Sequence, residues 1–465
     1  TVMTTTLSGD FTQSSTGILA VDIDATASPQ ADLLQVGGAA SIDGTISPTA
    51  SALLPGSYEV VEAGSLSASA TATSSYLFTW EVTTTATSLS LSPDADFTPS
   101  GAGLSTNEQA LATYLQGAWN AGGSSGLAQL FGTLSQVESA SAYASDLDQI
   151  ISNVSSWTTT QVLASTAALD SSFSCPVFEG TGTLLGESSC AWSSVTGSMT
   201  SLGGGRESPA QDLSTLTFRI GGQKEIAPDW FLGATAGYSW SWVDTPGLGG
   251  ASGDGQRGDA GLALKHTLGP WYFGAGFNLA YGRYTNERVI DLVGQPLPAS
   301  SAANVFTASG RLRAAYEFAF ADWYLRPHVD LDVIYVDVPG YSETSFSLLA
   351  LDVMGQSQTL FGLSVMVEAG GRVDLDGGWI LRPYLSTGVS LMSQDTWTTP
   401  VKLQGAPAGL GTFDIESDIP DLLFRLDAGF QLYQAAGAEL KVVYGLSAGE
   451  DYLSSTGSLR FGYRF

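Results

Sequence analysis

From about residue 190 to the last residue, successive side chains alternate between apolar and polar. Leu422, Phe424, Leu426, Ala428, Phe430 and Leu432 face one way, and Arg425, Asp427, Gly429 and Gln431 the other. Phe306, Ala308, Leu312, Ala314, Tyr316 and Phe318 alternate with Thr307, Ser309, Arg311, Arg313 and Glu317 in the same manner. A period of two is the signature of a strand buried on one face only. Twelve such segments are expected, near 190–199, 212–225, 230–243, 257–268, 271–285, 304–320, 323–336, 357–375, 379–393, 422–433, 437–448 and 453–465. Short connections such as Ala227-Pro228-Asp229, Gly269-Pro270 and Gly377-Gly378 alternate with long ones near 244–256, 286–303, 337–356 and 394–421. Trp230, Trp271, Trp323 and Trp379 each open a strand just after a short turn, giving one rim a girdle of indoles. An even strand count, unequal rims and an aromatic girdle specify a twelve-stranded antiparallel transmembrane β-barrel.

In a barrel, the polar face turns inward. Arg311, Arg313, Arg326, Asp330, Asp332, Arg382, Arg425, Asp427, Glu439, Lys441 and Arg460 are therefore predicted to line the lumen. Pro327 and Pro383 fall inside strands, in the matching runs Trp323-Tyr324-Leu325-Arg326-Pro327 and Trp379-Ile380-Leu381-Arg382-Pro383. A closed barrel has no edge, and proline cannot donate to a ladder, so bulges are expected at both.

Charge divides the chain. Lys and Arg total 17 against 45 Asp and Glu, for a formal net charge of −28. Residues 1–205 hold seventeen acids and no cation; the first is Arg206. Such a balance excludes a nucleic-acid binder that works by neutralising phosphates. Only 13% of residues are charged, about half the share usual in a soluble domain. Thr1-Val2-Met3-Thr4 shows neither the basic nor the apolar region of a signal peptide. No run reaches the roughly 18 apolar residues of a membrane helix.

Residues 1–100 read as short strands rich in Ser, Thr, Ala and Gly, punctuated by turns such as Asp43-Gly44 and Pro55-Gly56, which suits a β-solenoid or a small sandwich. Residues 101–175 read as helical. Ser105 and Glu108 form a capping box ahead of Ala110, Leu111, Tyr114, Leu115 and Ala118. A later segment with Val162, Leu163, Thr166 and Ala167 is otherwise small and polar, which suits a helix threaded through a confined, wet space. Residues 176–465 form the barrel. Cys175 and Cys190 are the only cysteines, and an oxidising compartment would pair them as a disulfide.

This order of parts resembles the monomeric autotransporters (type Va secretion) over essentially the whole chain. The segment Gly221-Gly222-Gln223-Lys224-Glu225-Ile226-Ala227-Pro228-Asp229-Trp230-Phe231-Leu232-Gly233 is similar to the family's second hairpin, and Cys190-Ala191-Trp192-Ser193-Ser194-Val195 to its first strand. Ser105–Ala110 resembles the segment that opens the helix before the barrel, and residues 7–92 resemble the last coils of a β-helical passenger. Leu459, Phe461, Tyr463 and the terminal Phe465 resemble the sorting signal read by barrel-assembly machinery. The resemblance implies a bacterial outer-membrane translocator that exports and anchors its own N-terminal passenger at the cell surface without ATP. It implies outer-membrane lipid and lipopolysaccharide, barrel-assembly machinery and periplasmic chaperones as partners, and a monomer. A surface adhesin or display protein is the alternative reading.

No constellation for catalysis, metal or cofactor emerges. The G-x-S-x-G matches at Gly122–Gly126 and Gly445–Gly449 have no histidine placed for a nucleophile elbow. The acids Asp414, Glu416, Asp418 and Asp421 read as a solvated loop face, with calcium the sharper alternative. Some members of the family cut their passenger at an Asn of the helix, for which Asn153 is the weak candidate here, beside Asp146 and Asp148.

Overall fold

The computed structural model describes the whole chain except residues 152–155, 174, 204–209, 246–250 and 293–295. Asn153 and Arg206 lie outside the described residues.

Nine strands come first: β1 (Thr4–Leu7), β2 (Phe11–Gln13), β3 (Ile18–Asp24), β4 (Leu33–Ile42), β5 (Thr45–Ala52), β6 (Tyr58–Ala68), β7 (Thr71–Ala72), β8 (Phe78–Thr84) and β9 (Ser88–Ala95). β1, β2, β4 and β6 pair in parallel in one sheet, and β3, β5 and β7 in a second. Leu34 pairs with Val61 and Ile18 with Thr45, so equivalent strands recur one turn of chain later. The antiparallel pair β8–β9 closes the first sheet against β6.

Helices α1 (Thr106–Asn120), α2 (Ala128–Leu134), α3 (Ala140–Ile151) and α4 (Ser156–Ser171) follow. The capping box at α1 is formed in both directions: Glu108 N donates to Ser105 Oγ at 3.2 Å, and Ser105 N to Glu108 Oε2 at 2.6 Å. Gly122 and Gly123, at φ 94° and 69°, end the helix as left-handed residues. A small hairpin, β10 (Pro176–Phe178) and β11 (Leu185–Glu187), precedes the barrel.

The barrel begins with β12 (Cys190–Leu202), β13 (Gln211–Ala227), β14 (Trp230–Thr245), β15 (Ala251–Leu268), β16 (Trp271–Ile290) and β17 (Leu297–Tyr316). After the two-residue β18 (Phe318–Ala319) comes β19 (Trp323–Val338). The next connection holds β20 (Tyr341–Ser342), β21 (Thr344–Ser345) and β22 (Leu351–Val353). β23 (Gln356–Gly371), its continuation β24 (Val373–Leu375) and β25 (Trp379–Met392) follow. β26 (Thr396–Leu403) and β27 (Phe413–Asp418) lie in another long connection, before β28 (Leu422–Gln434), β29 (Gly437–Gly449) and β30 (Tyr452–Arg464). Each of the twelve wall strands pairs antiparallel with its neighbours, β17 pairs with β19, and β30 pairs with β12 from Cys190↔Arg464 to Leu202↔Tyr452, closing the ring. The closing seam is reinforced by hydroxyl pairs, Thr196 with Ser458 at 3.0 Å and Thr200 with Ser454 at 2.7 Å.

Three expectations are corrected. β16 and β17 run for 20 residues each, well beyond the roughly 10 needed to cross a bilayer, so much of what reads as long loop is projecting hairpin. The acids Asp414, Glu416 and Asp418 stand on a strand, β27, rather than on a loop, and alternate with the buried Phe413, Ile415 and Ser417. Neither proline makes a bulge. Pro327 keeps register with Val367 on one side, and the ladder to β17 lapses between Ala315↔His328 and Phe318↔Leu325 without slipping. Pro383 likewise pairs Phe430, while the ladder on its other side lapses between Gly370↔Tyr384 and Val373↔Leu381. In an antiparallel strand a residue bonds through N–H and C=O to one neighbour only, so a missing donor interrupts one ladder and leaves the other whole.

One hydrophobic core joins the N-terminal strands, α1–α3 and the projecting connections. Val21, Ile46, Phe78 and Leu91 pack in one cluster with Leu111, Phe131, Tyr143 and Ile150, and with Ile290, Leu351, Leu403 and Phe413. β20, β22, β26 and β27 form a sheet of their own above the barrel. Asn107 ties α1 to it, donating to Glu416 O at 2.8 Å and accepting from Glu416 N at 2.7 Å.

Candidate functional site

The barrel lumen holds α4. Its sequence, SWTTTQVLASTAALDS, is mostly small, mixes polar and apolar residues and has no distinct apolar face, which lets a helix fit inside a polar tube. It lies against β15, β16, β17 and β19, eccentrically rather than on the axis. At its first turn Trp157 Nε1 donates to Asn286 Oδ1 at 2.6 Å and its ring lies 4.6 Å from that of Tyr284. At mid-height Arg257 Nη2 donates to Ser165 Oγ at 3.3 Å. Asp170 receives Arg313 Nη2 at 2.8 Å, Arg425 Nη2 at 3.0 Å and Arg311 Nη1. Just beyond the helix, Phe173 rests on Gly274 and Gly276, where a Cβ would stand 2.6 and 2.9 Å from the ring, so only glycine admits it.

The wall around α4 is a set of ion pairs dictated by strand register. Arg311 is opposite Asp332 and Arg313 opposite Asp330 across β17–β19. Each guanidinium holds its carboxylate with two bonds of 2.6–2.7 Å, the planar fork matched to the two oxygens. Arg219 and Asp259 pair at 2.5 and 3.0 Å although β14 separates their strands. Gly237, in register with both, leaves the gap: a Cβ there would lie 2.6 Å from Asp259 Oδ2. Arg382 donates to Glu368 at 2.5 Å, to Tyr324 Oη at 2.8 Å and to Gln431 at 2.8 Å. Arg326 lies over the Tyr272 ring at 4.8 Å. Asp427 and Lys441 line the remaining space with Arg425.

Apolar clusters stand at both ends of the lumen. At the projecting rim Trp157, Val162, Val243, Tyr284, Ile334 and Trp397 belong to an apolar collar. At the short-turn rim the β10–β11 hairpin inserts Phe178 and Leu185 among Tyr324, Ile380 and Tyr433. Cys175 and Cys190 are joined in a disulfide that ties the hairpin's start to β12. Arg460 Nη2 points at Cys175 Sγ at 3.2 Å, and Arg464 reaches Pro176 O at 2.7 Å and Glu439 at 2.8 Å. Lys265 joins the hairpin through Glu187 at 3.3 Å. Between α4 and the wall made by β28–β30, β12 and β13 remains a chamber of about 420 Å³, lined by Ser194, Thr196, Ser198 and other hydroxyls.

Outside, the lipid-facing surface is apolar, with Phe218, Leu262, Phe277, Leu312, Leu331 and Phe424 exposed. Trp230, Trp271 and Trp323 are exposed at the short-turn rim and Trp379 is half-buried there. Trp230 stacks on His266 at 4.3 Å and Trp323 on Phe320 at 4.1 Å. A second ring of exposed aromatics, Trp242, Tyr281 and Tyr335, lies 10–12 residues along the same faces. At ~3.3 Å per residue and a tilt near 40°, that spacing is about 25–30 Å, the depth of a bilayer core. Leu459, Phe461, Tyr463 and Phe465 all face outward on the last strand.

Several of these participants are not among the residues predicted to line the lumen by alternation. Asp170 sits on a helix, and its signal is that it is the one charged residue of α4. Glu368, Arg219 and Asp259 have inward parity and could have been found by it. The second aromatic ring was legible as same-parity aromatics a bilayer thickness from each Trp. The two serines of the G-x-S-x-G matches have structural surroundings: Ser124 Oγ donates to Gly405 O between α1 and α2, and Ser447 lines the chamber.

The comparisons follow this geometry. The translocator domain of the autotransporter NalP from Neisseria meningitidis superposes with a TM-score of 0.50 at 14% identity, covering 67% of this chain and 98% of that one. Weaker likenesses are to the transport unit of AIDA-I from Escherichia coli (TM-score 0.45, 12% identity, 66% and 98% covered) and the β-domain of the Bordetella autotransporter BrkA (0.41, 18%, 60% and 100%). No curated protein sequence matches the chain. The autotransporter β-domain family matches residues 191–445, more than half of the 465. With a closed twelve-stranded wall around a threaded helix, this chain belongs to the autotransporter β-domain family.

Proposed function

We propose that the barrel inserts in a bacterial outer membrane and passes the chain's own N-terminal segment through its lumen to the cell surface. The observation that carries this is the path of the chain. Residues 1–151 lie at the projecting rim, α4 descends the lumen, and β12 starts at the short-turn rim. The N-terminal segment is thus already on the far side of the wall that follows it in sequence. Its parallel strands are read as the last coils of a β-solenoid passenger, whose folding outside opposes return and supplies a driving force without ATP. Lipid and lipopolysaccharide around the barrel, periplasmic chaperones and barrel-assembly machinery during insertion are the partners of this reading. It needs neither catalysis nor a cofactor.

The core shared by the N-terminal strands, α1–α3 and the projecting connections favours display over release: the segment stays docked on the barrel mouth. Protease added to intact cells making the full chain tests the function. Digestion within residues 1–100 while the barrel stays intact is expected. Protection until the outer membrane is permeabilised overturns it.

A further inference from the structure

The lumen is unevenly charged. On β28–β30 the inward charged residues are Arg425, Lys441, Arg460 and Arg464 against Asp427 and Glu439. Glu439 is taken by Arg464 at 2.8 Å, with Arg460 farther off at 3.6 Å. Arg460 is 6% exposed, and its Nε has no partner among the described residues. Lys441 makes no ion pair or hydrogen bond among the described residues, and its ammonium lies 5.3 Å from the Tyr384 ring. Among the described residues the direct ion-pair partner of Arg425 is Asp170, which arrives with α4, while Asp427 of the same strand stands near it. This wall faces the chamber beside the helix, across strands that carry hydroxyls such as Ser194, Thr196 and Ser198 together with Trp192, Leu213 and Val443. The exported segment has the opposite character. Residues 1–151 carry fourteen acids and no Lys or Arg.

We propose that the wall formed by Arg425, Lys441 and Arg460 is an interaction surface for this chain's own acidic N-terminal segment, held in extended form while it occupies the lumen. The inference rests on the translocator reading and adds to it which wall the passing chain follows and why. Surplus cations in a narrow tube lower the cost of bringing carboxylates out of bulk water and raise their local concentration. A segment without cations is not repelled by the cations of this wall and has no Lys or Arg with which to pair to lumenal carboxylates such as Glu439. When α4 takes its place, Asp170 takes over part of the same charge at Arg425, Arg311 and Arg313. The final occupant and the passing chain thus use one electrostatic surface in turn.

The test is a pulse-labelled time course of full-length chain in cells, reading when residues 1–100 become accessible to external protease. Barrel assembly is scored separately by heat-modifiable migration. Lys441→Glu is expected to slow exposure about five-fold with assembly intact, and Lys441→Gln by about two-fold, as a charge effect requires. The triple variant Glu59→Lys, Glu81→Lys, Asp94→Lys, at exposed positions with the native barrel retained, is expected to slow exposure, and Lys441→Glu in that background is expected to restore part of the rate. An assembled Lys441→Glu barrel exporting at the native rate overturns the inference, as does an unslowed triple variant if the Lys441→Glu barrel fails to assemble. Failure of the unaltered chain to expose residues 1–100 at all overturns the translocator reading instead.

Discussion

Asp170 of α4 accepts a hydrogen bond from Arg425 Nη2 at 3.0 Å, although α4 packs against β15–β19 and Arg425 belongs to β28 across the lumen. One carboxylate thus fastens the helix to two separated parts of the wall, since Arg311 and Arg313 of β17 meet it from the other side. Replacing Asp170 by Asn leaves three guanidiniums short of an anion. Breaking a buried pair costs up to ~3–5 kcal/mol, and a wet lumen reduces this to about 2 kcal/mol. A lower thermal midpoint and more frequent opening in single-channel records are expected. Unchanged records would mean that α4 is held by its ends alone.

Gly237 is predicted to be as sensitive as the ion pair that crosses it. Gly237→Ala places a methyl 2.6 Å from Asp259 Oδ2 and 2.8 Å from Arg219 Cζ, so the pair must separate or β14 must bow. Overpacking of this kind costs roughly 1–3 kcal/mol. The melting temperature of purified barrel should fall, and Arg219→Ala in the same chain should add little further loss, because both changes break one contact.

Much of this site was legible because a barrel translates sequence parity directly into inside and outside. Arg311, Asp332, Arg425 and Lys441 were placed by parity alone, and the four tryptophans by their position after short turns. What parity cannot give is register across non-adjacent strands: Arg219 meets Asp259 only because Gly237 intervenes at the same level. Nor can it give depth along a helix, which is why Asp170 was missed. The prolines misled for a related reason. A rule about missing donors predicts a disturbed ladder, but which of two ladders is disturbed depends on the direction the N–H would have pointed.

The junction of α1 and α3 should respond to pH. Burial pushes the Asp148 carboxyl up to about 6, and the neighbouring Glu108 carboxylate adds to the shift. A carboxyl with a raised folded-state value binds protons more tightly folded than unfolded. Its contribution to stability is therefore fully present below the unfolded value near 4 and is lost as pH rises through about 6. Thermal unfolding of the N-terminal unit is expected at lower temperature at pH 7.5 than at pH 5. Asp148→Asn should remove that difference and stabilise the unit by about 1 kcal/mol at pH 7.5. An unaltered pH dependence in the variant would assign the effect to another group.

The disulfide should govern the plug rather than the wall. Cys175–Cys190 spans the β10–β11 hairpin, and closing a loop of this length restricts the unfolded chain by about 3 kcal/mol in the entropic account. Mild reduction should render the hairpin, around Gly180–Gly182, protease-sensitive. The closed ring from β12 to β30 should keep its heat-modifiable migration. Collapse of the barrel on reduction would show that the hairpin supports the seam.

The last residue separates assembly from stability. Phe465 is 65% exposed, and its N donates to Ser189 O at 3.1 Å. Its ring contributes little to the core, so Phe465→Ser should alter the unfolding temperature of a refolded barrel by no more than about 0.5 kcal/mol equivalent. If the outward row Leu459, Phe461, Tyr463 and Phe465 is a signal read during insertion, the same variant should accumulate several-fold less in the outer membrane of living cells. Refolding in detergent needs no reader, so the two measurements divide the roles. Equal losses in both would make Phe465 a structural residue of the seam, and no loss in either would remove it from the signal.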